Sequence, residues 1–340
     1  MEPQFEQKLA LNGGAKVREL VWPEWPSYDD GTERALNSVL RSGRWTISGP
    51  FAGESSKERS FARQFAEYCD ARYCTPVTSG SASLTIALLA LGIGAGDEVL
   101  IPGLTWVACA SATMAVGAVP IMVDIDPATL AMSVDEARRA VSDRTAAIMV
   151  VHPYCRTADL DGFLALSKEI DVPLVEDCSH AQNARRRQFA DALRRKLQSQ
   201  AIARLPPGDS RSEPTYYNLV LELDMNQFGG NSVDAVARAM AAELGVQVSP
   251  IYRPTNRHPL YRPLLSPRYR GDAARAAALD PSRFSLPNAE AARGRFITFP
   301  NWVLLAGEQG VEDILTALRK VAACGKELRS LEQAVSQQAF

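Results

Sequence analysis

The sequence predicts an α/β protein in which a mostly parallel wound sheet is followed by a smaller α+β unit. Between Tyr73 and Asp177, short β-branched runs alternate with helical stretches, the order expected of strands joined by crossover helices. The strand runs are almost continuously apolar, which suits strands covered on both faces. A chain of 340 residues, 46% hydrophobic and 22% charged, can bury one large core and a smaller one.

Five strands are expected: Cys74 to Val77, Glu98 to Pro102, Pro120 to Asp124, Ala146 to Val151 and Pro173 to Glu176. Helices fall between them at Ala82 to Leu91, Trp106 to Val116, Val134 to Val141 behind a Ser133 cap, and Leu160 to Ile170. Past His180 the pattern changes to a basic helical segment, Ala184 to Ala203, and then to the linker Pro206-Pro207-Gly208-Asp209. The smaller unit should contain a strand at Tyr216 to Leu223, a helix at Val233 to Leu244, a strand at Val246 to Tyr252 and a late helix at Val311 to Cys324. Arg253 to Arg295 reads as a long, partly irregular connection, and the last residues as a frayed end. The domains expected are an N-terminal arm over 1–30, a large domain over 31–205 and a small one over 206–340.

A net charge of −2 and a pI near 6.0 give no electrostatic footprint for nucleic acid or an anionic membrane. No apolar run reaches the roughly 18 to 20 residues of a membrane span, and the acidic, polar N-terminus does not suit a signal peptide, so a cytoplasmic protein is expected. The basic run near Arg194-Arg195-Lys196 reads as the solvated side of a helix. Six cysteines without a CxxC pair, and three histidines without an HxH or HxxxH pair, point to neither disulfides nor a metal site.

Three segments could carry chemistry. Thr78-Ser79-Gly80-Ser81-Ala82-Ser83 follows a strand and opens a helix, so its N–H groups and the helix dipole could hold a phosphate; an ordinary serine-capped turn would look the same. Trp106, in Pro102-Gly103-Leu104-Thr105-Trp106, stands at the carboxyl edge of the sheet, where ligands bind in open α/β folds. It could stack on a ring cofactor or be a half-buried core residue. In Val175-Glu176-Asp177-Cys178-Ser179-His180, Asp177 at the same edge could pair with a pyridine nitrogen or cap a helix.

A phosphate cradle, an aromatic and an acid after successive strands resemble the pyridoxal-phosphate (PLP) site of fold-type I aminotransferases. The sequence is similar to the DegT/DnrJ/EryC1/StrS family over most of its length. The resemblance is carried by Leu11-Asn12-Gly13-Gly14, the Trp-Pro pairs at Trp22 and Trp25, Ser42-Gly43-Arg44-Trp45, Gly96-Asp97-Glu98-Val99, Pro102 to Val107, Glu176 to His180 and Asn256 to Tyr261. Within the family, the opening blocks and the Gly-Leu-Thr-Trp-Val run look most like L-glutamine:2-deoxy-scyllo-inosose aminotransferases.

The resemblance implies the PLP-transferase fold type I, a mostly parallel wound sheet with a smaller C-terminal α+β domain. It implies a homodimer that moves an amino group from L-glutamine to a keto-cyclitol or keto-sugar. Ser79, Gly80 and Ser81 would hold the phosphate, Trp106 would stack on the pyridine, Asp177 would pair with its nitrogen and His180 would lie near the ring hydroxyl. In family members the Glu-Asp block is followed by a glycine-rich stretch and then by a Ser-(x)-Lys element with the Schiff-base lysine. Here Ser179-His180-Ala181-Gln182 runs straight into Asn183-Ala184-Arg185-Arg186, which resembles a much later family helix, as if a segment were deleted near Gln182. The large cofactor-binding domain and its sheet are then incomplete after about residue 182.

None of the seven lysines (Lys8, Lys16, Lys57, Lys168, Lys196, Lys320, Lys326) has the family context, so no catalytic residue is assigned. The family reaction uses that lysine to hold the cofactor and again as the base that moves the proton, and general acid–base catalysis alone contributes about 10²- to 10⁴-fold. The expectation is a chain of aminotransferase lineage, impaired or inactive, with PLP bound non-covalently if at all. The rival readings are a non-catalytic protein that binds PLP, a sugar or a partner chain, and a PLP-dependent dehydratase with histidine in place of the lysine.

Overall fold

The structure is a computed structural model that describes residues 8–45, 56–179, 187–206, 216–266 and 272–338. The chain divides into two compact units, one formed by Glu24–Ser83 and the other by Met1–Pro23 with Leu84–Phe340. His180, Gln182 and the junction around them, Ala184 to Arg186, and the linker residues Pro207 to Asp209 lie outside the described residues.

The smaller unit contains α1 (Asp30–Ser42) and α2 (Lys57–Tyr68) and ends where α3 (Gly80–Ala90) begins. Asp29 starts α1 by accepting the Thr32 N–H at 2.8 Å, and Gly43 ends it in the left-handed region. Ser56 caps α2 through the Arg59 N–H. The strand expected at Cys74 to Val77 does not form: the segment joins no ladder, and an extended run becomes a strand only by pairing.

In the larger unit the expected crossovers appear: β1 (Glu98–Pro102), α4 (Ala108–Ala115), β2 (Val119–Val123), α5 (Val134–Ala140), β3 (Thr145–Val151), α6 (Leu160–Glu169) and β4 (Leu174–Asp177). All pairs are parallel and the order is β2-β1-β3-β4. Alternate residues of β1 and β3 enter two different cores: Val99, Ile101, Ala147 and Met149 one, Leu100, Ile148 and Val150 the other. Burial on both faces is why these runs are continuously apolar. β4 is different, because among the described residues it pairs only with β3 and none of its residues is fully buried.

The basic segment forms α7 (Arg187–Leu197), shorter than expected, and its apolar side joins a third core with the second sheet. Its charged side is paired: Arg194 bonds Asp191 at 2.9 Å and Lys196 meets Glu312. Next come β5 (Ala203–Arg204), β6 (Asn218–Leu223), α8 (Val233–Leu244), β7 (Ser249–Pro250), α9 (Ala273–Ala278), α10 (Pro287–Arg293), β8 (Phe296–Pro300), α11 (Gly307–Ala323) and α12 (Gly325–Gln338). The second sheet is antiparallel, in the order β5-β6-β8-β7.

Three expectations change here. The strand at Val246 to Tyr252 shrinks to β7, whose proline cannot donate to a ladder. The connection after Arg253 holds two short helices and delivers β8, the strand between β6 and β7. The end of the chain is helical through Gln338 instead of frayed. No described helix is long and apolar enough to cross a membrane.

Candidate functional site

The carboxyl edge of the parallel sheet is built around a glycine turn. Gly103, just past β1, donates its N–H to the Val123 carbonyl at 2.6 Å. A Cβ at this position would lie 2.6 Å from Leu286 Cδ2 and 2.9 Å from that same carbonyl oxygen, so only glycine fits. The turn buries Leu104 and Thr105 and leaves Trp106 47% exposed. Trp106 is thus half-buried, as the core alternative also has it, with the rest of the residue open to a ligand.

A distant segment completes the wall. Thr255 donates its N–H to the Gly103 carbonyl at 2.7 Å, which docks the stretch Tyr252 to His258 against the turn. Tyr252 then packs on Trp106 with ring centroids 5.8 Å apart, and His258 meets the indole edge-on at 5.7 Å. Behind them buried Tyr154, in the left-handed region at φ 52°, stacks on Tyr252 at 5.5 Å and accepts its backbone N–H at 2.8 Å. Burial, and then the nearby charge of Arg253, lowers the His258 pKa, so its imidazole is neutral near pH 7. Its Nδ1 accepts the Leu260 N–H at 3.2 Å, which leaves the proton on Nε2.

Asp177 ends β4 on the same edge. Burial first, and then the charges of Tyr217 and Asp177, push the Tyr252 phenol up to about 12. The Cys109 thiol rises to about 12 by burial, with Asp177 again contributing. The Asp177 charge is thus felt by Tyr252, the ring packed on Trp106, and by Cys109 in α4. Its Oδ1 accepts the Ser179 N–H at 3.0 Å and the Ser179 hydroxyl, which closes a turn. Oδ2 takes no hydrogen bond among the described residues.

The third expected group is Ser79, Gly80 and Ser81. Ser79 caps α3, its Oγ accepting the Ala82 N–H at 3.2 Å and its carbonyl the Ser83 N–H at 3.0 Å. A Cβ on Gly80 would meet nothing within 4 Å, so the backbone there is open to approach. These residues belong to the smaller unit, whereas Trp106 and Asp177 belong to the larger.

Spacing along the chain had not marked His152, Tyr154, Tyr252 or His258. Tyr252 and His258 flank or lie in the Asn256 to Tyr261 block, but their docking on Gly103 is a long-range event that spacing does not reveal.

His152, Glu176 and Cys178 place possible ligand atoms within 4.8 Å of one another. His152 Nδ1 accepts the Ala158 N–H at 3.0 Å, and its Nε2 lies 2.7 Å from Glu176 Oε1. The ring proton is therefore on Nε2, the atom a metal would need, and moving it to Nδ1 would set two donors against each other. The cluster works as a hydrogen-bonded group. Its first effect is on Glu176, whose pKa is lowered chiefly by the His152 hydrogen bond.

Among the described residues no lysine bonds to Asp177. Lys320 is buried against Glu243 and the Ala15 carbonyl, Lys196 pairs with Glu312, Lys57 lies on α2, Lys168 on α6 and Lys326 on α12, while Lys8 and Lys16 precede α1.

A half-exposed indole and a carboxylate oxygen that takes no hydrogen bond among the described residues stand at the carboxyl edge of a parallel wound sheet and fit a protonated aromatic ring. The fold is that of PLP-dependent transferases of fold type I, and the cofactor is that of the family. The chain belongs to the DegT/DnrJ/EryC1/StrS aminotransferase family, whose profile matches residues 26–184. It is 34% identical to the L-glutamine:2-deoxy-scyllo-inosose aminotransferase of Micromonospora echinospora, over 94% of this chain and 99% of that one. It is 33% identical to the L-glutamine:scyllo-inosose aminotransferase of Streptomyces griseus, over 93% of this chain and 98% of the relative. That second alignment runs over 415 positions, more than a chain of 340 can fill, so at least 75 positions of the relative face gaps. In fold the chain is similar to 3-amino-5-hydroxybenzoic acid synthase, with a TM-score of 0.72 at 22% identity over 90% of this chain and 99% of that one.

Proposed function

We propose that this chain derives from an L-glutamine-dependent aminotransferase of keto-cyclitols or keto-sugars, and that it keeps part of the cofactor site without the lysine that would make it efficient. The observation that carries the first half is the 34% identity, over 94% of this chain, to an L-glutamine:2-deoxy-scyllo-inosose aminotransferase, and Trp106 and Asp177 at one sheet edge support the retained site. The gapped alignment with relatives matched nearly end to end, and the positions of the lysines, support the second half.

When bound, PLP supplies an electron sink for moving an amino group. The chain's own part is binding and orientation. Trp106 offers an aromatic face, and the Asp177 oxygen that takes no hydrogen bond among the described residues would keep the ring nitrogen protonated. The Ser79-Gly80-Ser81 turn is proposed for the phosphate and His180 for the ring hydroxyl. Tyr252 and His258 give the wall neutral hydrogen-bonding groups, which suit the hydroxyls of an uncharged polyol. A cytoplasmic homodimer is part of the same reading.

The test is to add PLP, follow its absorbance, treat with borohydride and desalt. The proposal expects a spectral change that is lost on desalting and no cofactor fixed to the protein. A peptide carrying borohydride-fixed cofactor would show that one of the seven lysines substitutes, and would overturn the second half. No spectral change at all would overturn the binding site and leave a partner-binding role.

A further inference from the structure

His152 holds the carboxyl ends of two neighbouring strands at once. Its backbone N–H donates to the Asp177 carbonyl at 3.3 Å, one step beyond the last β3–β4 pair, Val151 with Asp177. Its ring Nε2–H donates to Glu176 at 2.7 Å, so both members of the acidic pair are tied to one residue. The ring cannot turn freely, because Nδ1 is engaged by the Ala158 N–H at 3.0 Å and the side chain is buried. The same oxygen, Glu176 Oε1, also accepts from the Cys178 thiol at 3.3 Å.

This bracket matters because β4 has so little else. Among the described residues it pairs only with β3, and Asp177 is its last residue. A strand end held from one side would fray, and a carboxylate on it would sample several directions. The Ser179 turn fixes Asp177 to the residues after it, but those lie on the same unsupported end. His152 extends the β3–β4 ladder by one backbone bond past Val151–Asp177 and adds a side-chain bond to it, tying this end more firmly to the buried strand β3.

We propose that His152 is a positioning residue for Asp177: by bonding Glu176 through its ring and the Asp177 carbonyl through its backbone, it fixes the carboxylate that faces the cofactor's ring nitrogen. The proposal rests on the cofactor reading above. His152 does not touch the cofactor; it acts through the acidic pair. Asn at this position keeps an acceptor near Nδ1 but does not reach Glu176, whereas Gln places an amide N–H close to where Nε2 stands.

Pyridoxamine 5′-phosphate, the amine form of the cofactor, needs no lysine to bind and is the probe. Its affinity and the pH at which its bound ring nitrogen loses a proton are measured by absorbance and fluorescence on the full chain and on His152→Asn and His152→Gln, with melting temperatures alongside. The proposal expects at least a tenfold loss of affinity in His152→Asn and a fall in that titration of about one pH unit, a tenfold change in proton affinity, with His152→Gln close to wild type. If His152→Asn leaves affinity and titration unmoved, or both variants only lower the melting temperature, the positioning role is overturned and the cofactor reading stands. If the unaltered chain takes up no pyridoxamine phosphate, the cofactor reading falls and the proposal with it.

Discussion

The ammonium of Lys320 lies 2.8 Å from the Glu243 carboxylate, both side chains almost fully buried between α11 and α8. Lys320 also donates to the Ala15 carbonyl, and Glu243 accepts the Ala10 N–H at 2.8 Å, so the pair fastens the N-terminal segment to the helices of the smaller sheet. This lysine is committed to structure. Lys320→Met leaves a buried carboxylate without its cation and should cost about 3–5 kcal/mol. Urea unfolding measures that loss. Pyridoxamine phosphate binding to the folded fraction should not change, and a loss of binding without a loss of stability would reassign Lys320 to the site.

Gly103→Ala should damage stability and the site together. The new methyl has to displace Leu286 or the Val123 carbonyl, and overpacking of this kind costs about 1–3 kcal/mol. The shift also disturbs the carbonyl that holds Thr255, so Tyr252 and His258 should move off Trp106. A red-shifted tryptophan emission at unchanged secondary structure is the expected signature.

Acid should loosen the β3–β4 end before the rest. The Glu176 pKa is depressed in the folded chain, first by the His152 hydrogen bond, against an opposing upward push from burial. Its stabilising effect is therefore complete above the unfolded glutamate value of about 4.3 and is lost as pH falls through the lower folded value. Glu176→Gln should flatten this limb of the melting temperature against pH. A parallel profile in the variant would show that the pair adds nothing.

Among the described residues β4 pairs on one side only, with β3, and this predicts self-association. An unpaired strand edge offers free N–H and C=O groups to any neighbouring chain, and exposed Leu164 on α6 adds apolar surface to the same unit. Light scattering should show concentration-dependent growth. A monodisperse preparation with one cooperative melt at all concentrations would contradict this.

The sequence made some elements legible to the residue and hid others for identifiable reasons. β1 runs from Glu98 to Pro102 as expected, because burial of both faces leaves an unbroken apolar run between polar ends. α8 was equally readable, since Ser232 caps its start and Gly245 stops it in the left-handed region. β8 was obscured by the proline- and arginine-rich stretch before it, and its place in the sheet depends on partners 218–222 and 249–250. Cys74 to Val77 has the composition of a strand and no described partner. Trp106 and Asp177 stand out in the sequence because each lies at or a few residues past the carboxyl end of a strand. His152 also does, but its value lies in what both ring nitrogens touch, and that is a property of the folded state alone.

The hydrogen bond from Thr255 to the Gly103 carbonyl joins main-chain atoms, and the buried Thr255 hydroxyl donates to the Pro102 carbonyl at 3.5 Å beside it. Thr255 and Asn256 hold the stretch in place, so Tyr252 and His258 could be exchanged without breaking that bond, while Asp177 stands on the wound sheet. On the proposed function, substrate choice would then be adjustable at two positions of one short loop, with the carboxylate for the cofactor left on a separate strand.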